Sequence, residues 1–397
     1  MPILFLIVFI DLVGFGVIIP LLPFFAEHFA ASPFTVGFLM ATYSLGQFIA
    51  APFWGRTSDR VGRRPILLIT LAGGAVSYIL LGYADSLWML FAARALGGFM
   101  AGNISTAFAY VADITTAENR AKGMGVIGAA FGLGFIAGPA IGGILAGPHP
   151  LDANFQLPAF AAAGLSFSAF LVAFFVLKES LSLDLRRSLS EKPRQRRASQ
   201  FRDALARPNV GLLIGLSFLA TFVFAGMETT FAMWSERRFA WGPQQNGYLF
   251  AYVGILSAII QGGLVGRLVK RFGEANLILQ GSAALAIGML AIPFANSLAV
   301  LLVAMAVVAY GFSIINPAMN SLISLQVGPE EQGGIMGVSR SATTMARVLG
   351  PVWAGMLFAV LGMNWPYFGG AVLMIVVVTL SLRVKARGEA QPVLNQD

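Results

Sequence analysis

The sequence predicts an all-α integral membrane protein, with twelve transmembrane helices in two six-helix bundles related by pseudo-twofold symmetry. Of its 397 residues, 57% are hydrophobic and only 11% are charged, whereas about 25% of residues are charged in a typical soluble domain. The apolar residues form long continuous runs, and the two halves of the chain repeat the same motifs. A disordered chain is excluded because 33 Phe residues and the Leu, Ile and Val runs bury too much apolar area.

The apolar runs have the length of membrane helices, which need roughly 20 mostly apolar residues. No charged residue occurs between Glu274 and Glu330, or between Arg347 and Arg383. Strands of a membrane barrel would be about 10 residues long with alternating polarity, so these runs are helical. The first run lacks a basic segment and a small-residue cleavage site, so we expect a retained helix rather than a signal peptide. The predicted spans are 3–24, 34–55, 65–84, 87–111, 123–146, 156–177, 209–233, 245–266, 275–295, 298–325, 334–360 and 365–382.

Lys and Arg predict the orientation, because cytoplasmic loops of membrane proteins are enriched in both. If the spans alternate, 21 of the 26 basic residues lie on one side, and the loops on the other side hold only Arg237 and Arg238. We therefore expect a multi-pass protein of the inner (plasma) membrane with both termini in the cytoplasm. The net charge of +8 is then explained by topology and contact with lipid headgroups, so no nucleic-acid partner is expected.

One long polar stretch, 178–208, divides the predicted spans six and six. The expected domains are an N-terminal bundle at 1–177, a basic cytoplasmic linker at 178–208, a C-terminal bundle at 209–385 and a cytoplasmic tail at 386–397.

The two halves repeat at a shift of about 211 residues: Gly55-Arg56 corresponds to Gly266-Arg267, and Gly138-Pro139 to Gly350-Pro351. Parallel repeats of this kind enclose a cavity that opens to alternate sides as one bundle rocks against the other.

The loop after the second span combines glycines with charges and reads Gly55-Arg56-Thr57-Ser58-Asp59-Arg60-Val61-Gly62-Arg63-Arg64-Pro65. Glycine permits a tight turn at a helix end, and Asp59 can accept hydrogen bonds from a helix N-terminus or an arginine. A plain basic loop does not explain this spacing. Three further motifs are Asp11-Leu12-Val13-Gly14-Phe15-Gly16 in the first span, Arg94-Ala95-Leu96-Gly97-Gly98 in the fourth, and Gly128, Gly132, Gly134, Gly138-Pro139 and Gly142-Gly143 in the fifth.

In this order, the four motifs resemble those of the major facilitator superfamily. They are similar to the twelve-span drug:proton antiporter branch, with the tetracycline-efflux pumps nearest, and the resemblance covers essentially the whole chain. It implies a secondary active transporter that exports a hydrophobic small molecule or drug in exchange for protons by alternating access. It also supports a cytoplasmic clasp between Asp59, Asp113 and Arg340, within a gate formed by Gly55, Asp59, Arg60, Gly62, Arg63, Asp113 and Arg340.

Charged residues inside the spans are candidates for proton coupling. An unpaired Arg94 at membrane depth costs roughly 2.5–3.5 kcal/mol or more, so we expect it to pair with Asp11. Loosening such a pair would let Asp11 take up a proton; the alternative is a static structural pair. The resemblance implies a role for Arg94 in proton transfer. Glu228, in the seventh span, either binds a cationic drug, carries a proton or is an acid near water.

The fifth span is the antiporter helix of the resemblance, with Gly134, Gly138, Pro139 and Gly142 expected to prevent leak. Glycines on one helix face let a neighbouring backbone approach closely, and a proline kinks a helix. Simple close packing is the alternative.

Polar residues within spans are candidates for a substrate cavity: Gln47, Asn103, Glu228, Gln261, Asn316, Asn320 and Arg347. Each buried amide needs a partner in a bilayer, so any of them alternatively ties helices together. Arg347 either supports an anion, pairs with an acid or caps carbonyls near Pro351.

Two features depart from the tetracycline pumps, which carry acidic residues in spans 3 and 9. Span 3 has Ser77 in the matching region, and span 9 has no acid, so tetracycline itself is doubtful as the cargo. An uptake carrier, by proton symport or uniport, is the main alternative function. An enzyme is not expected, since no catalytic cluster, cofactor site, metal site or phosphate-binding loop is evident. The expected partners are a small-molecule substrate, protons and lipid, and we expect a monomer.

Overall fold

The computed structural model describes residues 2–181, 186 and 197–389. Parts of the predicted linker at 178–208 and of the predicted tail at 386–397 lie outside the described residues. The described chain is helical and contains no strand. Its helices are α1 Pro2–Ile18, α2 Leu22–His28, α3 Pro33–Val61, α4 Arg63–Gly82, α5 Leu87–Met100, α6 Ile104–Ile114, α7 Ala117–Ala146, α8 Gln156–Val176, α9 Arg197–Ala206, α10 Pro208–Phe239, α11 Pro243–Ile259, α12 Val265–Phe272, α13 Glu274–Ala291, α14 Leu298–Leu325, α15 Pro329–Leu361 and α16 Trp365–Glu389.

Within the described residues, eleven helices or helix pairs are long and apolar enough to cross a membrane, and α1 with α2 makes a twelfth if this bent pair is one span. The predicted span 3–24 is therefore interrupted: α1 ends at Ile18, α2 begins at Leu22, and the two are bent by about 40°. Pro20 lies in the break, where its missing N–H ends the hydrogen-bond ladder. Pro23 lies in the first turn of α2, which tolerates proline.

Two further spans change helix type along their length. A 3₁₀ turn, Ala101–Asn103, joins α5 to α6, and a π-helical turn, Ile260–Leu264, joins α11 to α12. In the 3₁₀ turn, a Cβ on Gly102 would lie 2.8 Å from the Ala50 carbonyl carbon. Glycine is therefore required for the close approach of this turn to α3. Each irregular turn contains one of the predicted cavity amides, Asn103 in the first and Gln261 in the second.

Contacts divide the chain into two units, Met1–Arg194 with Thr229–Gly254, and Gln195–Glu228 with Ile255–Asp397. In the first unit, α1 packs against α7 and α8, and α4 packs against α5 and α8. In the second, α13 packs against α14 and α16. Residues 229–254 fall in the first unit because α11 approaches α7 closely: a Cβ on Gly143 would lie 3.1 Å from the Gly247 Cα. The predicted domain boundaries stay a prediction.

The glycines of the repeated Gly-Pro motif each make a close backbone contact within their own unit. In the first unit, a Cβ on Gly138 of α7 would lie 2.6 Å from the Cα of Gly16 of α1. In the second, a Cβ on Gly350 of α15 would clash with the carbonyl oxygen of Phe222 of α10. Gly138-Pro139 and Gly350-Pro351 therefore serve the same packing role, each within its own unit.

Candidate functional site

Arg63, the first residue of α4, is the centre of the gate loop (residues 55–65). Its Nη1 donates to Asp59 Oδ1 at 2.6 Å and to Ser58 Oγ at 2.7 Å, and its Nε donates to Asp113 Oδ2 at 3.1 Å. The side chain of Arg63 is only 6% exposed. Arg63 thus connects the loop to the end of α6 and brings Asp59 and Asp113 together; the part of these two residues in a gate stays a prediction.

Glu179, which follows the sixth span, binds the gate loop and was missed by the sequence analysis. Its carboxylate accepts hydrogen bonds from the backbone N–H groups of Arg63 at 2.9 Å and Arg64 at 3.2 Å, so it caps the N-terminus of α4. Next to it, the Ser180 hydroxyl donates to Asp113 at 3.0 Å. The only sequence signal is an acidic residue at the start of a linker in which basic residues outnumber acidic ones.

The conformation of the backbone and the position of Glu179 both require glycine at position 62. Its φ of +117° is rarely adopted by other residues, and a Cβ there would clash with the carboxylate of Glu179. Gly55 is less constrained, since its nearest contact would be the Ser105 hydroxyl at 3.6 Å.

The other predicted gate residues, Arg60 and Arg340, are both exposed. In the first unit Arg63 itself joins the two carboxylates, and the part of Arg340 in a clasp stays a prediction. On the second unit, Arg207 donates to Glu331 at 2.9 and 2.7 Å. This hydrogen bond raises the pKa of Arg207 above its ordinary value.

Asp11 and Arg94 do not form the predicted ion pair. Among the described residues, neither side chain has an oppositely charged group within 4 Å. The Arg94 guanidinium instead lies over the Tyr43 ring, 4.2 Å from its centroid, in a cation–π contact. The Asp11 carboxylate lies 3.5 Å from the Ser166 hydroxyl. Matching depth along the membrane is readable from sequence, but the direction in which each helix turns its side chains is not.

Glu228 and Arg347 form a partly buried ion pair in the second unit. Their side chains approach to 3.6 Å between Glu228 Oε2 and Arg347 Nη1, with 13% and 37% of each exposed. Of the three alternatives for Arg347, the structure shows pairing with an acid. The pair joins α10 to α15, and an aromatic stack of Phe224 and Phe312, with centroids 3.7 Å apart, adjoins it along α10 and α14.

The glycines of α7 pack mainly against α1. A Cβ on Gly134 would lie 2.7 Å from the Leu12 Cβ, and one on Gly142 would clash with the Val17 carbonyl oxygen. The helix continues through Pro139 without a break. Close packing therefore accounts for Gly134, Gly138 and Gly142, and their role in preventing leak stays a prediction.

The predicted cavity amides separate into two groups. Gln47 donates to the Ala101 carbonyl at 3.3 Å and Asn103 to the Thr70 hydroxyl at 2.9 Å, so both tie helices together. Asn103 also lines an internal cavity with Asp11. Gln261 and Asn320 are exposed, and Asn316 is half-buried. The part of these three amides in a substrate cavity stays a prediction.

Comparison with known proteins identifies the family. The chain matches the model of the Major Facilitator Superfamily at residues 4–338 and 263–396. It is 32% identical to multidrug resistance protein 2 of Bacillus subtilis (strain 168), covering 98% of this chain and 96% of that protein. It is 34% identical to the class C tetracycline resistance protein of Escherichia coli, covering 92% of each.

Solved structures agree. The human organic anion transporter MFSD10 (TETRAN) superposes with a TM-score of 0.71 at 28% identity, covering 96% of this chain and 98% of that one. A mutant of the nucleoside transporter NupG gives a TM-score of 0.79 at 12% identity, with 96% and 98% covered, and so shows the fold alone. By sequence across its whole length and by fold, this chain belongs to the Major Facilitator Superfamily.

Proposed function

We propose that this chain is a proton-coupled exporter of a small hydrophobic molecule, working by alternating access. Its relatives named above are multidrug and tetracycline resistance proteins, which supports efflux over uptake. The observation that carries the proton coupling is Asp11, an acid on a membrane helix with no cation within 4 Å among the described residues. An ionised carboxylate in that setting is costly, so Asp11 takes up and releases a proton as its surroundings change.

Glu228 and Arg347 belong to the proposed cargo site on the second unit. Both are partly exposed within membrane-spanning helices, beside the stacked rings of Phe224 and Phe312. Because the charges of Glu228 and Arg347 neutralise each other, the site does not require a cargo of one particular charge. An aromatic cargo can stack on the phenyl rings. A charged group on the cargo binds the side chain of opposite charge and takes the place of that side chain's partner in the ion pair.

The proposed setting is the inner (plasma) membrane, with the gate loop and both termini in the cytoplasm. The basic gate loop and linker support this orientation under the positive-inside rule. The proposed transporter acts as a monomer surrounded by lipid, without a cofactor and without enzymatic turnover of its cargo.

Reconstituted vesicles with a trapped pH-sensitive dye test the function. A panel of tetracyclines, fluoroquinolones, lipophilic cations and sugars is presented under an imposed pH gradient, and cargo movement and proton release are recorded together. Export coupled to proton movement for at least one hydrophobic compound is the expected result. Accumulation in the direction of uptake, or transport indifferent to the gradient, contradicts the proposal.

Asp11→Asn is the matched variant, and Asp85→Asn its control, since Asp85 is exposed in the turn between α4 and α5. Asp11→Asn should abolish gradient-driven flux while leaving cargo binding and folding intact, and Asp85→Asn should behave like the parent protein. Undiminished coupled flux in Asp11→Asn would show that another group carries the proton.

A further inference from the structure

Two adjoining internal cavities lie within the first unit, beside Asp11. Their volumes are about 20 and 30 Å³, and both are lined by Asp11, Leu12, Asn103 and Ile104. Each has room for roughly one or two water molecules. Water enters a cavity of this size only where polar groups can bind it, so the lining decides whether these cavities are wet.

The larger cavity is lined by a set of polar side chains drawn from several helices of the unit: Asp11, Tyr43, Thr70, Ser77, Tyr78 and Asn103. Asn103 and Thr70 are hydrogen-bonded to each other. For the hydroxyls of Tyr43 and Tyr78, no hydrogen bond to protein is recorded among the described residues. A phenol O–H at membrane depth needs a partner, and a polar cavity of about 30 Å³ has room for a water molecule in that place.

Tyr43 connects this cavity to Arg94. The ring lines the cavity, and its face holds the Arg94 guanidinium at 4.2 Å. Arg94 is 4% exposed, and its Nε is buried without a hydrogen-bond partner. Tyr78 is close enough to interact electrostatically with Asp11, Tyr43 and Arg94. Asp11 and Arg94 thus do not contact each other, and both lie near Tyr43 and Tyr78.

We propose that a hydrated proton path, ordered by Tyr43 and Tyr78, links Asp11 to the neighbourhood of Arg94. The Asp11 carboxylic acid gives its proton to a cavity water, and that water passes one of its own protons to the next water or hydroxyl. The path gains and loses one proton in each step, with no change of oxidation state. The Asp11 carboxylate that remains is stabilised by the nearby Ser166 hydroxyl.

The arrangement gives Tyr43 a second task as a positioning residue. By holding Arg94 on its ring, Tyr43 keeps the guanidinium from a direct ion pair with Asp11, which would hold the carboxylate ionised. The other elements around the cavity add no charge: from α7 the lining residues are Ile127 and Phe131, and α8 contributes the Ser166 hydroxyl near Asp11.

This inference rests on the proposed function, because it takes Asp11 as the proton carrier, and three variants separate the two. Tyr43→Phe and Tyr78→Phe keep each ring and lose the hydroxyl, whereas Tyr43→Leu also removes the ring beneath Arg94. Tyr83→Phe is the control, since Tyr83 is 65% exposed at the end of α4. Proton release and cargo flux are measured in vesicles over a range of pH, with infrared difference spectra recording the carboxylic acid band that Asp11→Asn removes.

Each Phe variant should slow coupled proton release roughly five- to ten-fold, as expected for one lost hydrogen-bonding group, with cargo binding unchanged. In Tyr43→Leu the carboxylic acid band of Asp11 should disappear at a lower pH than in the parent protein, because Arg94 then pairs with the carboxylate. Tyr83→Phe should match the parent protein in rate and in band. If Asp11→Asn abolishes coupling but both Phe variants and Tyr43→Leu leave the rates and the band unchanged, the hydrated path is wrong and the proposed function stands. If Asp11→Asn itself leaves coupling intact, the proposed function fails first.

Discussion

Of the two carboxylates that Arg63 contacts, the more distant one should contribute more to stability. Arg63 lies 2.6 Å from Asp59 and 3.1 Å from Asp113, so distance alone favours Asp59. The Asp59 side chain, however, is 42% exposed, and that of Asp113 is 13% exposed. Water screens an exposed pair, which is worth about 0–1 kcal/mol, whereas a hydrogen bond to a charged group away from water is worth about 1.5–3 kcal/mol.

A double-mutant cycle measures each pair separately. The substitutions are Arg63→Gln, Asp59→Asn and Asp113→Asn, singly and in pairs. We expect a coupling energy of about 2 kcal/mol between Arg63 and Asp113, and below about 1 kcal/mol between Arg63 and Asp59. Arg63→Gln alone should cost about 3–5 kcal/mol, because it leaves the Asp113 carboxylate buried without its cation.

The assay is reversible unfolding of the purified protein in mixed micelles, followed by helix content as a denaturing detergent is added. Arg60→Gln is the control on the same loop, and because Arg60 is exposed it should change stability by less than about 0.5 kcal/mol. A coupling to Asp59 equal to or larger than that to Asp113 would refute the argument that exposure outweighs distance at this gate.

Three further outcomes follow from the packing and the charges. Gly138→Val should lower the melting temperature sharply because its Cβ would lie 2.6 Å from the backbone of α1, whereas Gly132→Ala on the same helix, with open space around it, should be neutral or stabilising; equal effects would show that close approach does not explain these glycines. Gly62→Ala should destabilise by about 1–3 kcal/mol, since its φ is +117°, and an unchanged unfolding curve would disprove the strain. Arg347→Gln should move cargo preference in vesicles toward lipophilic cations, because Glu228 loses its counter-ion; an unchanged preference would exclude the pair from the cargo site.

Hydropathy was enough to predict the fold, because the length of an apolar run is a direct consequence of membrane thickness. The break in the first span is also written in the sequence, at Pro20, although the prediction ran the helix through it. The repeat at Gly138-Pro139 and Gly350-Pro351 was also readable, and in each unit the glycine makes a close backbone contact with another helix of that unit.

The contacts of the site were harder to predict from sequence than the fold, because the partner of a side chain depends on how each helix is rotated about its axis. Asp11 and Arg94 were placed at compatible depths, yet the Tyr43 ring takes the guanidinium. Glu179 escaped notice because its role depends on the N-terminus of α4, more than a hundred residues away along the chain. Its acidic character in a basic segment was the available clue.

The charges of the two units suggest why transport would require exchange. Arg63 contacts Asp59 and Asp113, the Arg94 guanidinium lies over the Tyr43 ring, and Glu228 pairs with Arg347. Each of these contacts lies inside one unit, so a unit can move as a body without leaving these charges unpaired in the membrane. Asp11 differs, because in the described structure its carboxylate meets only a hydroxyl and a small polar cavity. In the proposed exporter a proton neutralises this charge, so that movement of the first unit is coupled to proton uptake and release at Asp11.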